Sequence, residues 1–154
     1  LNMANKITKY WESRFKRKLM RIHKNHWKRI FHKIMKKSSN LRTSLKRRSR
    51  DYDTVFKITL EQIREILHKS YGKNCCYCNV TLTVSNIVCD HIHPISHGGD
   101  STPDNLQLIC RRCNTRKGNL SDKDFKRLLK WIKRQPKEMQ KYILRKLSKG
   151  DNYK

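Results

Sequence analysis

Apolar residues in the first third of the chain recur at helical steps. Trp11, Phe15, Leu19, Ile22, Ile30 and Ile34 fall mostly three or four residues apart, with a gap around His26 and Trp27, which is the period of one helix face. The pattern predicts one long or two shorter amphipathic helices over about 4–37, ended by Ser38-Ser39-Asn40, with 38–53 as a linker. Thr59-Leu60-Glu61-Gln62 is a capping box ahead of Ile63, Ile66 and Leu67, and Gly72 supplies a stop. The period then changes. Val80, Thr81 and Thr83, then Ile87 and Val88, read as two short strands over 79–83 and 86–90. Joined near Ser85-Asn86, they would form a hairpin that delivers Asp90-His91 at its end. Pro94 limits the second strand, and Gly98 to Pro103 is turn-rich. Asp104 or Asn105 would start a helix or short turn before Cys110, and the segment after Cys113 is expected to be helical. Ser121-Asp122-Lys123-Asp124 caps a helix carrying Phe125, Leu128, Leu129 and Ile132, which Gln135-Pro136 breaks. A last helix over about 137–148 has Met139, Tyr142, Ile143 and Leu147 on one side. Both C-terminal helices are expected to buttress a core too small to stand alone. The fold class is α+β.

Charge changes this picture most. The 154 residues hold 38 Lys+Arg against 12 Asp+Glu, a net charge of +26, so a polyanion is the expected partner, nucleic acid ahead of membrane. Residues 1–50 contain 18 Lys+Arg and one acid, Glu12. They are expected to form a basic helical extension whose cations track DNA phosphates, with Arg47 and Arg48 in the cluster Lys46-Arg47-Arg48-Ser49-Arg50. The plainer alternatives are a helix packed on the rest of the chain with its charges solvated, or one docked on a membrane surface, an acidic partner or a second copy. No apolar run approaches the roughly 18–20 residues of a transmembrane helix, and no secretory signal is evident. The chain opens at Leu1, and Met3 is a candidate start.

Six cysteines are present, four of them in two Cys-x-x-Cys pairs, Cys75 with Cys78 and Cys110 with Cys113. That is the ligand set of a closed tetrahedral zinc site, and it favours a reducing, intracellular setting over disulfides. Cys76 and Cys89 are read as non-ligands. The 31 residues between the pairs exceed the roughly 15–20 of a zinc ribbon, so something is built between the knuckles. What lies there is Asp90-His91, Pro94, Gly98-Gly99 and Asn105, with Asn114 directly after the last cysteine.

The blocks C-x-Y-C, D-H-I-x-P, G-G-D, D-N-L-Q-L-I-C and C-N-x-x-K follow one another across residues 75–117. In that order and spacing the segment resembles the HNH, or ββα-metal, nucleases. In its size and basic extension the chain resembles phage or mobile-element homing enzymes. The resemblance implies a ββα-metal core stapled by a Cys₄ zinc and flanked by helices. It also implies hydrolysis of DNA phosphodiesters with Mg²⁺ or Mn²⁺. His91 would be the general base, Asp90 and Asn114 the metal ligands, and Asn105 the brace of the loop that orients His91. An imidazole with an ordinary pKa of about 6.5 suits a base at neutral pH, and an acid with an amide suits a hard cation. The family's third letter is often His; Asn114 in that slot points to an oxygen-loving ion. His93 is a second candidate ligand or phosphate contact. His97, Arg111, Arg112, Arg116 and Lys117 are candidate phosphate contacts around the cleft. The implied division is an extension and linker over 1–53, the nuclease core over 54–120 and a helical buttress over 121–154. The competing readings are a zinc module that binds nucleic acid without cutting it, and a nuclease subunit of a larger assembly docked through the N-terminal helices.

Overall fold

The computed structural model describes residues 3–150. Two helices, α1 (Met3–His23) and α2 (Trp27–Asp51), pack on each other, joined by a 3₁₀ turn at Lys24–His26 where the apolar period breaks. Ser38-Ser39-Asn40 does not end the second helix, and residues 38–51 are helix rather than linker. The reason is tertiary. Ile34, Ser38, Leu45 and Ser49 are the buried stripe of α2, and burial overrides weak local propensity. The hydroxyls do not compete for the backbone either: Ser38 Oγ donates back to the Met35 carbonyl at 2.7 Å. The basic cluster 46–50 thus forms the last turns of α2, where cations favour the helix dipole.

Helix α3 (Leu60–Ser70) opens on the expected capping box. Gln62 N donates to Thr59 Oγ1 at 3.1 Å, and Thr59 N donates to Gln62 Oε1 at 2.9 Å. Gly72, at φ +76°, turns the chain after it. Phe15 and Leu19 of α1, Ile34 and Leu45 of α2, and Ile63 and Leu67 of α3 share one continuous core with Leu82, Ile87, Ile109 and Phe125. The first two helices are therefore packed into the body of the molecule.

The sheet has two antiparallel strands, β1 (Ile87–His91) and β2 (Leu106–Cys110), with Asp90 opposite Gln107 and His91 opposite Leu106. This corrects the expected hairpin: the partner of β1 is 106–110, and 79–83 contributes only the bridge of Asn74 with Thr81. Residues 80 and 82 instead face the segment before them, Cys75 N donating to the Val80 carbonyl and Gly72 N to the Leu82 carbonyl, both at 2.8 Å. Asn86 then closes the turn, its Oδ1 accepting from Thr83 N and its Nδ2 donating to the Thr81 carbonyl. Before β2, Pro103–Asn105 is a 3₁₀ turn.

Helix α4 (Arg111–Lys117) follows β2 directly and completes the ββα unit. Ser121 caps α5 (Asp122–Ile132), which buries Phe125 and Ile132. On α6 (Lys137–Leu147) the apolar face is shifted from expectation. Met139 and Tyr142 are exposed, while Ile143, Leu144 and Leu147 are half-buried. No described helix is long and apolar enough to cross a membrane.

Candidate functional site

The four cysteine sulfurs at 75, 78, 110 and 113 lie within 4.8 Å of one another, a group that could hold a metal ion. Local geometry builds each knuckle. Asn79, at φ +63°, reverses the chain after Cys78, and its N–H donates to the Cys75 carbonyl at 2.9 Å. Cys110 ends β2 and caps α4, its sulfur accepting from Cys113 N, while Cys75 sulfur accepts from Cys110 N. Burial would raise the Cys78 thiol, but hydrogen bonds from Val80 N–H, Cys113, Cys110 and Arg112 bring it down to about 7. Cys89 is buried and pushed up to about 12, chiefly by desolvation. Cys76 is exposed, its sulfur 3.8 Å from Gln107 Oε1, and burial of its thiol is the largest cause of a rise to about 11.

On the far end of β1, Asp90 and His91 line a cleft of about 290 Å³ together with Arg48 of α2 and Asn114 and Thr115 of α4. Asp90 is 7% exposed and held on both oxygens. Lys117 Nζ sits 3.1 Å from Oδ1 and Gln107 Nε2 donates to Oδ2 at 2.9 Å. Burial pushes the carboxyl up, against the opposing pull of Gln107 and Lys117. Gln107 Nε2 also donates to the Tyr77 hydroxyl, which donates to Asp122. The first knuckle, through Tyr77, therefore supports the acid of the cleft. His91 is 3% exposed, with Nε2 at 2.9 Å from Ser101 Oγ. Burial first, then the charges of Arg48 and Lys117, hold its imidazole down to about 4. Asn105 accepts from His93 N on Oδ1 and donates from Nδ2 to the carbonyls of His93 and Asp100. It thereby closes the loop that leaves His91.

The structure brings Asp90, His91 and Asn114 into one cleft, with Asn105 behind its loop and Arg48 in its wall. Lys117 is a correction. Expected to face phosphate, it is 2% exposed and spent internally, its ammonium bonding Asp90 and, at 2.9 Å, the His91 carbonyl. Arg116 is half-buried, with Nε donating to Ser148 Oγ at 2.7 Å. Arg47, His97, Arg111 and Arg112 are exposed but lie outside the cleft lining. His93 is also exposed, its Nε2 against the His97 carbonyl. Ser101, Gln107 and Tyr77 join the site although the sequence does not single them out: Tyr77 and Gln107 lie inside the blocks C-x-Y-C and D-N-L-Q-L-I-C, and Ser101 lies in none.

A short ββα unit with a cysteine cluster at one end and Asp, His and Asn at the other is the architecture of a small metal nuclease core. Residues 75–120 match the family model for HNH endonucleases. The segment is similar to part of the CRISPR-associated endonuclease Cas9 of Corynebacterium diphtheriae, at 46% identity over 46 residues. That stretch is 29% of this chain and only 4% of that protein's length. Residues 75–120 of the chain thus carry an HNH endonuclease domain, on the ββα core that the motif order implied.

Proposed function

We propose that the chain is a metal-dependent endonuclease that hydrolyses DNA phosphodiester bonds at the cleft of Asp90, His91 and Asn114. The observation that carries this is the convergence of those three side chains with Arg48 on one open cleft, in which Asp90 is the single acid among the described residues. Asp90 and Asn114 offer a carboxylate and an amide oxygen, the donors that suit Mg²⁺ or Mn²⁺. When bound there, such an ion supplies charge neutralisation at phosphorus and help for the departing 3′-oxygen. His91, held neutral by its burial, takes a proton from the attacking water. Arg48 faces the phosphate. Asn105 keeps the His93–Asp100 loop from shifting the end of β1. The products are a 5′-phosphate and a 3′-hydroxyl. At the cysteine cluster zinc is the fitting ion: four thiolates about 2.3 Å from a tetrahedral centre stand about 3.8 Å apart, against 3.6 Å between Cys78 and Cys110 sulfurs. With four protein ligands that ion is structural.

The path of the DNA follows from grooves that join the cleft. Thr115 is shared with a groove lined by Ser85, Arg111 and Arg112. Ser85 and Arg111 are shared in turn with one lined by Lys33, Lys36 and Lys37 of α2. Among the described residues, no acid lines either. In a His91→Ala background, changing Lys33, Lys36 and Arg111 together to Gln is expected to weaken DNA binding. It should also flatten the dependence of log K on log salt by about 0.9 for each phosphate no longer neutralised. An unchanged slope would place the DNA elsewhere.

The direct test is supercoiled-plasmid cleavage with Mg²⁺, Mn²⁺ or EDTA, comparing wild type with His91→Ala at equal zinc content. Metal-dependent cutting that falls about 100–10,000-fold in the variant, with DNA affinity retained, is the expected result. A base must be unprotonated to act, and the His91 imidazole is depressed to about 4. The acid limb of the rate profile should therefore lie below the ordinary histidine value of about 6.5. Cleavage surviving in His91→Ala sinks the assignment. If neither protein cuts under any condition while both bind DNA, the non-cutting zinc module is the better reading.

A further inference from the structure

His91 is wired to the N-terminal helix pair by two hydroxyls. Ser49, buried on the last turn of α2, donates to Ser101 Oγ at 2.7 Å. Ser101, fully buried, lies 2.9 Å from His91 Nε2. The backbone of Ser101 is fixed from the same side. Its N–H donates to the Val55 carbonyl at 2.8 Å, its carbonyl accepts from Lys57 N at 3.0 Å, and the carboxylate of Asp100 accepts from Val55 N at 2.9 Å. Gly99 packs the turn onto its neighbour so closely that a Cβ there would sit 1.9 Å from the His93 carbonyl oxygen. Helix α2, the segment 55–57 after it and the turn 98–101 therefore converge on one ring nitrogen. Neither serine lines the cleft.

We propose that Ser101 and Ser49 are positioning residues for His91: Ser101 Oγ accepts the Nε2 hydrogen, Ser49 holds Ser101 in place, and the Nδ1 lone pair is left for the water. This rests on the nuclease reading above and deepens the role of the same site. A neutral imidazole carries one N–H and one lone pair, and a hydroxyl oxygen has two acceptor sites. Ser101 can therefore accept from Ser49 and from the ring at once, whereas in the opposite tautomer its own O–H would donate to Nε2 and an Nδ1–H would face the water. When the water's proton moves to Nδ1, the Nε2–H keeps the same acceptor, so the ring need not turn during the reaction. Helix α2 is then a support of the catalytic centre as well as a wall of the DNA groove.

The test uses the full zinc-loaded chain and the variants Ser101→Ala and Ser49→Ala, matched to wild type in zinc content. Partners that orient a metal-ligating histidine carry about 10–100-fold, and the same order is expected for the histidine base. A kcat fall of that size is expected in Ser101→Ala and a smaller one in Ser49→Ala, both with KM unchanged. The ¹⁵N and ¹³C shifts of the His91 ring, read without DNA, report the tautomer whether or not the protein cuts or Ser101→Ala folds. The Nε2–H form is expected in wild type, giving way to a mixture in Ser101→Ala. Wild type in the Nδ1–H form overturns the proposal, as do folded variants that both cut at the wild-type rate. A wild type that shows the Nε2–H form yet cuts no DNA would defeat the nuclease reading and leave the ring placement standing.

Discussion

Cys110→Ser is expected to release the cluster metal and unfold the nuclease core. This is the largest single effect we anticipate, because residues 75–120 have little secondary structure of their own to hold them together. The sheet is two strands of five residues each, and an isolated pair of strands is marginal in water. Helix α4 has seven residues, too few to be stable alone. Cys110 sits at their junction, capping α4 through its sulfur and taking part in the cluster that ties the second knuckle to the first. Structural zinc in small peptides contributes apparent binding free energies of about 10–16 kcal/mol. Packing against α1, α2 and α3 offsets part of its loss here, so several kcal/mol should remain as a measured deficit. Metal content by mass spectrometry, near-ultraviolet dichroism and thermal melting read the outcome. Chelation of the wild type should reproduce it, and Cys76→Ser, at an exposed position outside the cluster, should change neither metal content nor melting. A Cys110→Ser protein that keeps its metal and its melting temperature would show that the cluster is not the staple.

Which features are legible in the sequence depends on how far apart their parts lie in the chain. The capping box at Thr59 and the N-cap at Ser121 are local devices, and both are present as expected. The helical break around His26 and Trp27 is local too. Asp90, His91 and Asn114 are legible because an ordered set of short motifs marks them, although nothing local shows that they share a cleft. The strand pairing differs from expectation for a physical reason. Val80, Thr81 and Thr83 have strand propensity, but residues 80 and 82 spend their backbone bonds on the segment 72–75 that leads into the first knuckle. The true partner of β1 lies 15 residues downstream of its end, at Leu106, where no local pattern points back to Ile87. Ser38 misleads in the opposite sense. Its side chain disfavours a helix interior in isolation, and only burial against the rest of the protein keeps α2 running past it. Ser101 carries no local signal, and Gln107, though inside the block D-N-L-Q-L-I-C, shows nothing of its role, since each matters through a residue it meets across the fold.

Lys117→Met is expected to cost about 3–5 kcal/mol of stability, the range for breaking a buried ion pair on one side. The side chains of Lys117 and Asp90 are 1% and 8% exposed and 3.1 Å apart. The ammonium also donates to the His91 carbonyl, so it anchors both residues at the end of β1. Methionine keeps much of the volume and removes the charge, leaving the Asp90 carboxylate buried with Gln107 as its remaining partner. Burial already raises the Asp90 carboxyl, and loss of the cation raises it further. An acid whose folded pKa lies above its unfolded value binds more protons when folded, so its contribution to stability falls as pH rises through that window. The deficit of Lys117→Met should accordingly be largest near neutral pH and shrink on acidification. Adding Asp90→Asn removes the stranded charge, so the double variant should be more stable than Lys117→Met alone. Denaturant melts of the four proteins give this coupling directly. Metal-dependent cleavage should fall in Lys117→Met as well, since the Asp90 carboxylate and the His91 backbone lose their common anchor. A Lys117→Met protein as stable as wild type at neutral pH, with weaker DNA binding instead, would return Lys117 to the phosphate-facing role its place in the motif suggested.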